Sequence, residues 1–462
     1  MEAFWDYSVW GFFNIFAVLL LSLLAANALK KAIPALEASL IPTSVLAGII
    51  LLVISMIYNQ IFGVRLFEAK CFSGSGYAYM EMITYHTLAL GFIAGSLKST
   101  GGKLSKKRTT EIFNTGVTTV STYLVQGVVG MVITIAAAMI LPQFFSAAGL
   151  LLPFGYGQGT GQAMNYGNIY ETQFGFEGGK SFGLTVAALG FLSASIGGVI
   201  HLNVLKKRGK LKNTTHTEET LTESQIQSLD EIPMQESIDK FTIQVALITL
   251  AYLLAYILMW LLGTLLPGMR AVIYGFNFLL GVLAATLLKG VLNFLKKKGI
   301  AKREYTNNFL LTRASNFFYD IMVVAGIAAI RLDLIDNYWG ILLILGAAGL
   351  VVTYVYNRVV ANVLFPEYKE EQFLAMYGML TGTASTGVIL LREVDGDFKT
   401  PVSENLVYQN FPAIAFGFPI MLLATMAPVK PFMTLGLLFA FLLVLNVILF
   451  RAQIFGKKKV KA

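Results

Sequence analysis

LLPFGYGQGTGQAMNYGNIYE, residues 151–171, alternates Gly155, Gly157, Gly159 and Gly161 with Tyr156, Gln158 and Thr160 inside an otherwise apolar chain. Glycine weakens helix interiors, and backbone released from helical pairing in a bilayer persists only where protein or a water-filled cavity satisfies its polar groups. The stretch therefore reads as a broken, solvent-reaching segment and not as a continuous membrane helix. A second stretch, GMLTGTASTG at 378–387, repeats the pattern: a shift of 223 positions lays Gly155 on Gly378, Gly159 on Gly382 and Thr160 on Thr383. Two such breaks imply two related halves.

The rest of the chain fits a polytopic, all-α membrane protein. Its 462 residues are 56% hydrophobic and only 13% charged, and the mean hydropathy of +0.68 lies far from soluble averages. Residues 9–29 follow the acidic MEAFWDYS without a basic leader and are long enough to span, so they read as a first membrane span and not a signal peptide. A single cysteine, Cys71, excludes an internal disulfide and a Cys-rich zinc site, and His86, His201 and His216 are too scattered for a metal pair. The net charge of +9 sits between apolar runs, where it reports orientation and implies no nucleic-acid partner.

Apolar runs of bilayer length fall near 9–29, 40–58, 82–97, 114–141 and 181–205, then near 241–266, 270–294, 310–331, 339–364, 405–427 and 431–451. The expected organisation is a first repeat over 1–205 with a re-entrant hairpin near 147–170, and a polar cytoplasmic linker over 206–240. A second repeat follows over 241–427, with its hairpin near 371–391, and then an extra span and basic tail over 428–462. With the N-terminus outside and the C-terminus cytoplasmic, 28 of the 35 basic residues fall on the cytoplasmic side and 6 outside, Arg313 lying within a span. Five spans per repeat give the two repeats opposite orientations. The two breaks then enter from opposite faces, as in inverted-repeat secondary transporters with a midplane site.

Candidate binding residues follow from that chemistry. At the first tip, Gln158, Gly159, Thr160, Gln162 and Asn165 offer backbone N–H groups and polar side chains to a carboxylate, while Gly157 and Asn165 carry oxygens suited to Na⁺. Close helix packing through small residues would explain the glycines but not the crowding of Gln and Asn. At the second tip, Thr381, Gly382, Thr383, Ser385 and Thr386 supply four hydroxyls and no charge, a pattern also compatible with hydroxyls bonding back to their own helix. Arg313 and Asp320, seven apart, share one helix face with part of Asn316; Arg313 is a substrate candidate or a snorkelling interfacial charge, and Asp320 a cation ligand or counter-charge. Asn277 in YGFNFLLG, read as mid-span, is a further Na⁺ candidate, although it and Gln126 are better explained as interhelical hydrogen bonders. Arg392, Glu393, Asp395 and Asp397 read as a solvated face after the second hairpin.

The chain resembles the sodium/glutamate symporter family over most of residues 8–427. IPTSVLAGIILL (41–52) is similar to the family's entry to span two, HTLALGFIAGSLK (86–98) and FFYDIMVVAGIAAIRL (317–332) to its third and eighth spans, and Gly157, Gln158, Gly159 and Thr160 to its Gly-His-Gly-Thr tip. Gln158 stands where the family has His, Tyr156 where it has Gly, and LTGTAST lacks the family's Pro-containing form. The resemblance implies Na⁺-coupled, elevator-like import of glutamate by a homodimer in the cell membrane. The residues themselves fit an anionic substrate moved with a cation such as Na⁺, and a small amino acid or dicarboxylate is what the resemblance implies. H⁺ coupling through Asp320 or another carboxylate substrate is the alternative, and a passive channel or an intramembrane enzyme fits the pattern less well.

Overall fold

The computed structural model describes residues 3–98, 105–209, 231, 233, 238–300, 303–396 and 399–455. Asp397 and most of the 206–240 linker lie outside them. In chain order the α-helices are α1 Tyr7–Ala32, α2 Pro34–Ala38, α3 Thr43–Phe62, α4 Gly76–Leu97, α5 Lys106–Ile140, α6 Leu151–Phe174, α7 Gly179–Lys207, α8 Lys240–Leu265 and α9 Arg270–Gly275. They continue with α10 Asn277–Lys297, α11 Asn308–Ala328, α12 Trp339–Leu364, α13 Lys369–Thr381, α14 Ala384–Arg392, α15 Val402–Tyr408, α16 Asn410–Met426, α17 Pro431–Leu449 and α18 Arg451–Phe455. No strand forms among the described residues, which hold one isolated bridge, Glu231 to Glu304.

Among the described residues eight helices are long and apolar enough to cross a membrane, nine if the bent pair Val402–Tyr408 and Pro412–Met426 is one span. The eleven expected spans include two, near 82–97 and 310–331, that form α4 and α11 without reaching that apolarity. Their sequences explain why: α4 carries Glu81 and His86, and α11 carries Arg313 and Asp320. The run expected over 270–294 is interrupted at Phe276, which separates α9 from α10. Asn277 is thus the first residue of a helix and not a mid-span residue; its Oδ1 accepts from the Phe278 N–H.

The chain divides into two compact units. One gathers Met1–Leu24, Ala47–Lys103 and His216–Ala329, the other Ala25–Leu46, Leu104–Thr215 and Ile330–Ala462. Each takes segments from both sequence halves: α4, α8, α10 and α11 fall in the first unit, and α5, α6, α7 and α12 to α17 in the second.

In the first unit small residues let helix backbones approach, as expected where lipid removes the hydrophobic drive between helices. A Cβ on Gly91 would lie 2.7 Å from the Tyr319 ring, and one on Gly281 2.9 Å from Ile93. Ile93, Ala94 and Leu97 of α4 pack with Ile248 and Ala251 of α8, Ala285 of α10 and Leu311 of α11. Polar groups join the same helices: Ser315 donates to the Gly91 carbonyl and Asn277 to the Tyr85 carbonyl, each at 2.9 Å. The N-caps are built in, with Asp239 accepting from Phe241 N–H and Asn307 from Leu310 N–H. Glu231 of the linker is held here, 2.7 Å from the fully buried ammonium of Lys240 and 2.6 Å from Asn307 Nδ2.

The second unit is built along α5, 35 residues long, or about 52 Å at 1.5 Å per residue. Its start is capped by Ser105, whose hydroxyl accepts from the Arg108 N–H. Near its other end Gly130 meets the turn before α6 backbone to backbone: a Cβ on Gly149 would fall 2.1 Å from the Gly130 carbonyl carbon. Thr134 closes this junction by accepting from the Gly149 N–H at 3.1 Å.

Candidate functional site

Both glycine-rich stretches lie in the second unit. In α6, Gly159 has φ 80° and ψ −171°, a region essentially restricted to glycine. On a straight helix Phe154 and Tyr166 would stand about 18 Å apart. Their rings instead stack with centroids 4.0 Å apart and planes 10° from parallel. The chain therefore doubles back at Gly159, and the returning arm is pinned to α16 by Tyr166 and Tyr170, whose hydroxyls donate to the Met421 and Ala424 carbonyls.

The four alternating glycines do different jobs. Gly155 and Gly157 are helical and small for packing: a Cβ on Gly155 would lie 2.8 Å from Ala187 N, and one on Gly157 2.1 Å from the Tyr123 ring. Tyr123 also donates its phenolic hydrogen to the Gly157 carbonyl at 3.0 Å, so this sodium candidate already serves one internal donor.

The second stretch reverses between α13 and α14. Gly382 and Thr383 leave helical geometry, with φ/ψ of −142°/−104° and −140°/170°. The arms touch where a Cβ on Gly378 would sit 2.9 Å from Gly387 Cα. Thr381 Oγ1 donates to the Tyr377 carbonyl at 2.6 Å, the back-bonded arrangement, while the Thr383 and Thr386 hydroxyls lie 3.4 Å apart. The Ser385 side chain lies outside the described residues.

The two hairpins meet on α7. Tyr156 OH is 2.8 Å from Ser193 Oγ and donates to the Gly346 carbonyl at 2.6 Å; Tyr377 OH donates to the Ser193 carbonyl at 2.7 Å. One turn away, a Cβ on Gly190 would collide with the Thr381 carbonyl at 2.5 Å and approach Tyr156 Cα at 3.3 Å. The first tip is deeply placed: Thr160 and Gln162 are buried, Asn165 is 5% exposed and Gln158 is half-buried. Asn165 Nδ2 lies 3.4 Å from Gln162 Oε1, and Gln162 Nε2 has no hydrogen-bond partner among the described residues.

Arg313, Asp320 and Asn277 belong to the first unit, apart from the hairpin-bearing unit in which the other candidates assemble. Arg313 is exposed, with its guanidinium 5.2 Å from the centroid of Phe309, and Asp320 is exposed as well.

A polar face of α5 runs beneath the second hairpin. Thr115 accepts from Gln372 Nε2 at 3.3 Å, Thr119 donates to Gln409 Oε1 at 2.8 Å, Thr122 lies 3.4 Å from Asn357 Nδ2, and Gln126 Nε2 donates to Thr353 Oγ1 at 2.8 Å. Gln126 also donates at 2.9 Å to the Leu380 carbonyl, just before the break in the second hairpin. Gln126 makes the interhelical hydrogen bonds expected of it, whereas its polar neighbours on this face and Ser193 escaped the sequence reading. The signal was present in the spacing 115, 119, 122, 126, which places four polar residues on one face of an apolar span.

At the base of the second hairpin, Glu370 receives a forked pair of bonds from Arg358 at 2.6 and 3.0 Å, and His201 Nε2 lies 3.0 Å away. Burial would raise the Glu370 carboxyl, but these partners outweigh it and hold it at about 2. Asp395, expected on a solvated face, is instead 8% exposed and accepts from the Lys399 and Thr400 N–H groups. It closes the loop that follows α14.

The sodium/glutamate symporter family description matches residues 11–366. The chain belongs to this family. No curated protein matches it. The family match takes in the first hairpin and ends before α13, so the hairpin 369–392 lies beyond it. Membership makes this a chain of a transporter family, in keeping with its multi-pass apolar helices.

Proposed function

We propose that the protein is a Na⁺-coupled symporter that imports glutamate. Its hairpin-bearing unit would act as the moving element of an elevator-like cycle in the cell membrane, within a homodimer. The observation that carries this reading is the joint anchoring of both hairpins on Ser193, which makes two broken helices one structural piece. In an inverted-repeat, re-entrant arrangement that piece would carry the midplane site.

On this reading the open Nε2 of Gln162 receives a carboxylate, since an unpaired buried donor favours negative charge. Gln158 and Asn165 tune its shape, and the hydroxyls of Thr383 and Thr386 face the same ligand from the second hairpin, with Gly159 and Gly382 setting the two reversals and Ser385 a further candidate by its sequence position. The donor set, hydroxyl and amide oxygens with no thiol or imidazole, suits a hard monovalent cation as co-substrate. Differential affinity gives the coupling: Na⁺ raises substrate affinity and, by reciprocity, substrate raises Na⁺ affinity by the same factor.

The test is uptake of labelled glutamate into proteoliposomes, against a panel of amino and dicarboxylic acids, with and without a Na⁺ gradient. Accumulation driven by Na⁺ supports the reading, whereas uptake equal in Na⁺ and choline, or driven by a pH gradient alone, overturns it.

A further inference from the structure

The two breaks are held at the same point of their sequence. Tyr123 OH donates to the Gly157 carbonyl at 3.0 Å, and Gln126 Nε2 donates to the Leu380 carbonyl at 2.9 Å. Gly157 stands two residues before the reversal at Gly159 and Leu380 two before Gly382. The shift of 223 that lays one glycine stretch on the other also lays Gly157 on Leu380. A helix that stops leaves its last four carbonyls without intrahelical donors, and both of these carbonyls belong to such a terminal turn. A carbonyl only accepts, so the Gln126 atom that faces Leu380 is its amide nitrogen.

Both donors stand on one turn of α5, because residues three apart are neighbours on a helix face. The same two arms also meet on α7, where a Cβ on Gly190 would lie 2.5 Å from the Thr381 carbonyl and 3.3 Å from Tyr156 Cα. The residues beside Gly157 and Leu380 thus share one glycine of α7, while Gly157 and Leu380 themselves are tied to one turn of α5. The arrangement is not repeated in the second half. The shift of 223 lays Tyr123 and Gln126 on Gly346 and Gly349 of α12, which have no side chain to donate. Those glycines make room for Tyr156 instead: its hydroxyl donates to the Gly346 carbonyl at 2.6 Å, and a Cβ on Gly349 would lie 2.7 Å from its ring.

We propose that Tyr123 and Gln126 are a positioning pair that holds both hairpin tips at one spacing, so that the two breaks present their polar groups to a ligand together. The ligand's identity as glutamate rests on the symport reading; the pair rests on the two bonds. Each residue acts through a carbonyl and not by touching the ligand. Removing either donor leaves a terminal turn with an unserved carbonyl, and the tip beyond it opens more readily.

The experiment has two readouts on the full-length protein in nanodiscs: amide hydrogen exchange over residues 155–165 and 378–387 without ligand, and glutamate Kd at saturating Na⁺. Tyr123→Phe keeps the ring against Gly157 and loses only the hydroxyl; Gln126→Met keeps the length of the side chain and loses the donor. Thr119→Val is the control, since Thr119 is on the same face of α5 but serves Gln409 and no tip carbonyl. Exchange should be about fivefold faster or more at the first tip in Tyr123→Phe and at the second in Gln126→Met, and glutamate Kd about five- to tenfold higher in each, the scale of one hydrogen bond. The control should match the parent in both readouts, even where its melting temperature falls. Should Gln126→Met fail to fold, Tyr123→Phe decides, because it removes one oxygen from a ring that stays in place. Unchanged exchange at the tips of folded variants overturns the positioning role, and faster exchange with unchanged Kd overturns its part in binding. Faster exchange in the variants of a parent that binds neither glutamate nor any member of a panel of amino and dicarboxylic acids overturns the symport reading and leaves the pair standing.

Discussion

The phenol of Tyr156, on the first hairpin, lies 2.8 Å from the hydroxyl of Ser193, whose own carbonyl accepts from Tyr377 on the second hairpin at 2.7 Å. One residue of α7 thus ties down two segments more than 200 positions apart in sequence. Ser193→Ala removes the side-chain bond and spares the carbonyl, so it is expected to cost about 1 kcal/mol. Tyr156→Phe should cost more, because its hydroxyl also serves the Gly346 carbonyl. Thermal denaturation of the detergent-solubilised protein orders the two; equal melting temperatures for both variants and the parent would refute the anchoring role.

Two glycines two residues apart should respond differently to the same mutation. Gly157→Ala meets the Tyr123 ring at 2.1 Å, so its defect is relieved by a second change, Tyr123→Ala. Gly159→Ala carries a backbone penalty of about 1–2 kcal/mol at positive φ that no neighbour's removal can relieve. Stability measured for the two double variants with Tyr123→Ala gives the contrast: rescue of both, or of neither, contradicts it.

Gln162→Leu keeps approximate volume and deletes the open Nε2. If that donor meets the substrate carboxylate, substrate Kd should rise about 10–100-fold, corresponding to the ~1.5–3 kcal/mol of a hydrogen bond to a charged group. Substrate binding measured at saturating Na⁺ checks this, and an unchanged Kd removes Gln162 from the site.

Glu370 sets an acid limit for the second hairpin. Its carboxyl, held at about 2 against an ordinary 4.5, is depressed by Arg358 and His201 despite its burial. A group depressed in the fold contributes stability that is fully present above its unfolded value and is lost as pH falls through that value toward the folded one. The parent should therefore lose melting temperature between pH 4.5 and about 3, whereas Glu370→Gln should begin lower and fall less steeply over the same window. Parallel curves would show that the ion cluster contributes nothing to stability.

The helical class and the two chain reversals were legible in the sequence because glycine clusters in apolar runs have few other uses. The first reversal falls within the expected tip Tyr156–Gln162, but its placement at Gly159 was not legible, nor were the packing duties of Gly155 and Gly157, which depend on Ala187 and Tyr123 arriving from other helices. Long-range convergence was the main loss. Nothing local to Ser193 marks it as a meeting point, and Gln126 reaches Thr353, and Asn357 nears Thr122, only when α5 and α12 lie side by side. Arg313, Asp320 and Asn277 drew attention as polar residues in apolar runs, but their sequence could not tell which unit they would join.

The hydrogen bonds spaced along α5 also bear on how the second unit can deform. Slipping α12 past α5 by one turn, about 5.4 Å, would break the bond of Gln126 to Thr353 and the approach of Asn357 to Thr122. The bonds of Thr119 to Gln409 and Thr115 to Gln372 resist the same creep in the segments that follow. The interior is geared against internal shear. An excursion of the two tips made by the block as a whole, as in the proposed elevator-like cycle, would leave every one of these bonds intact.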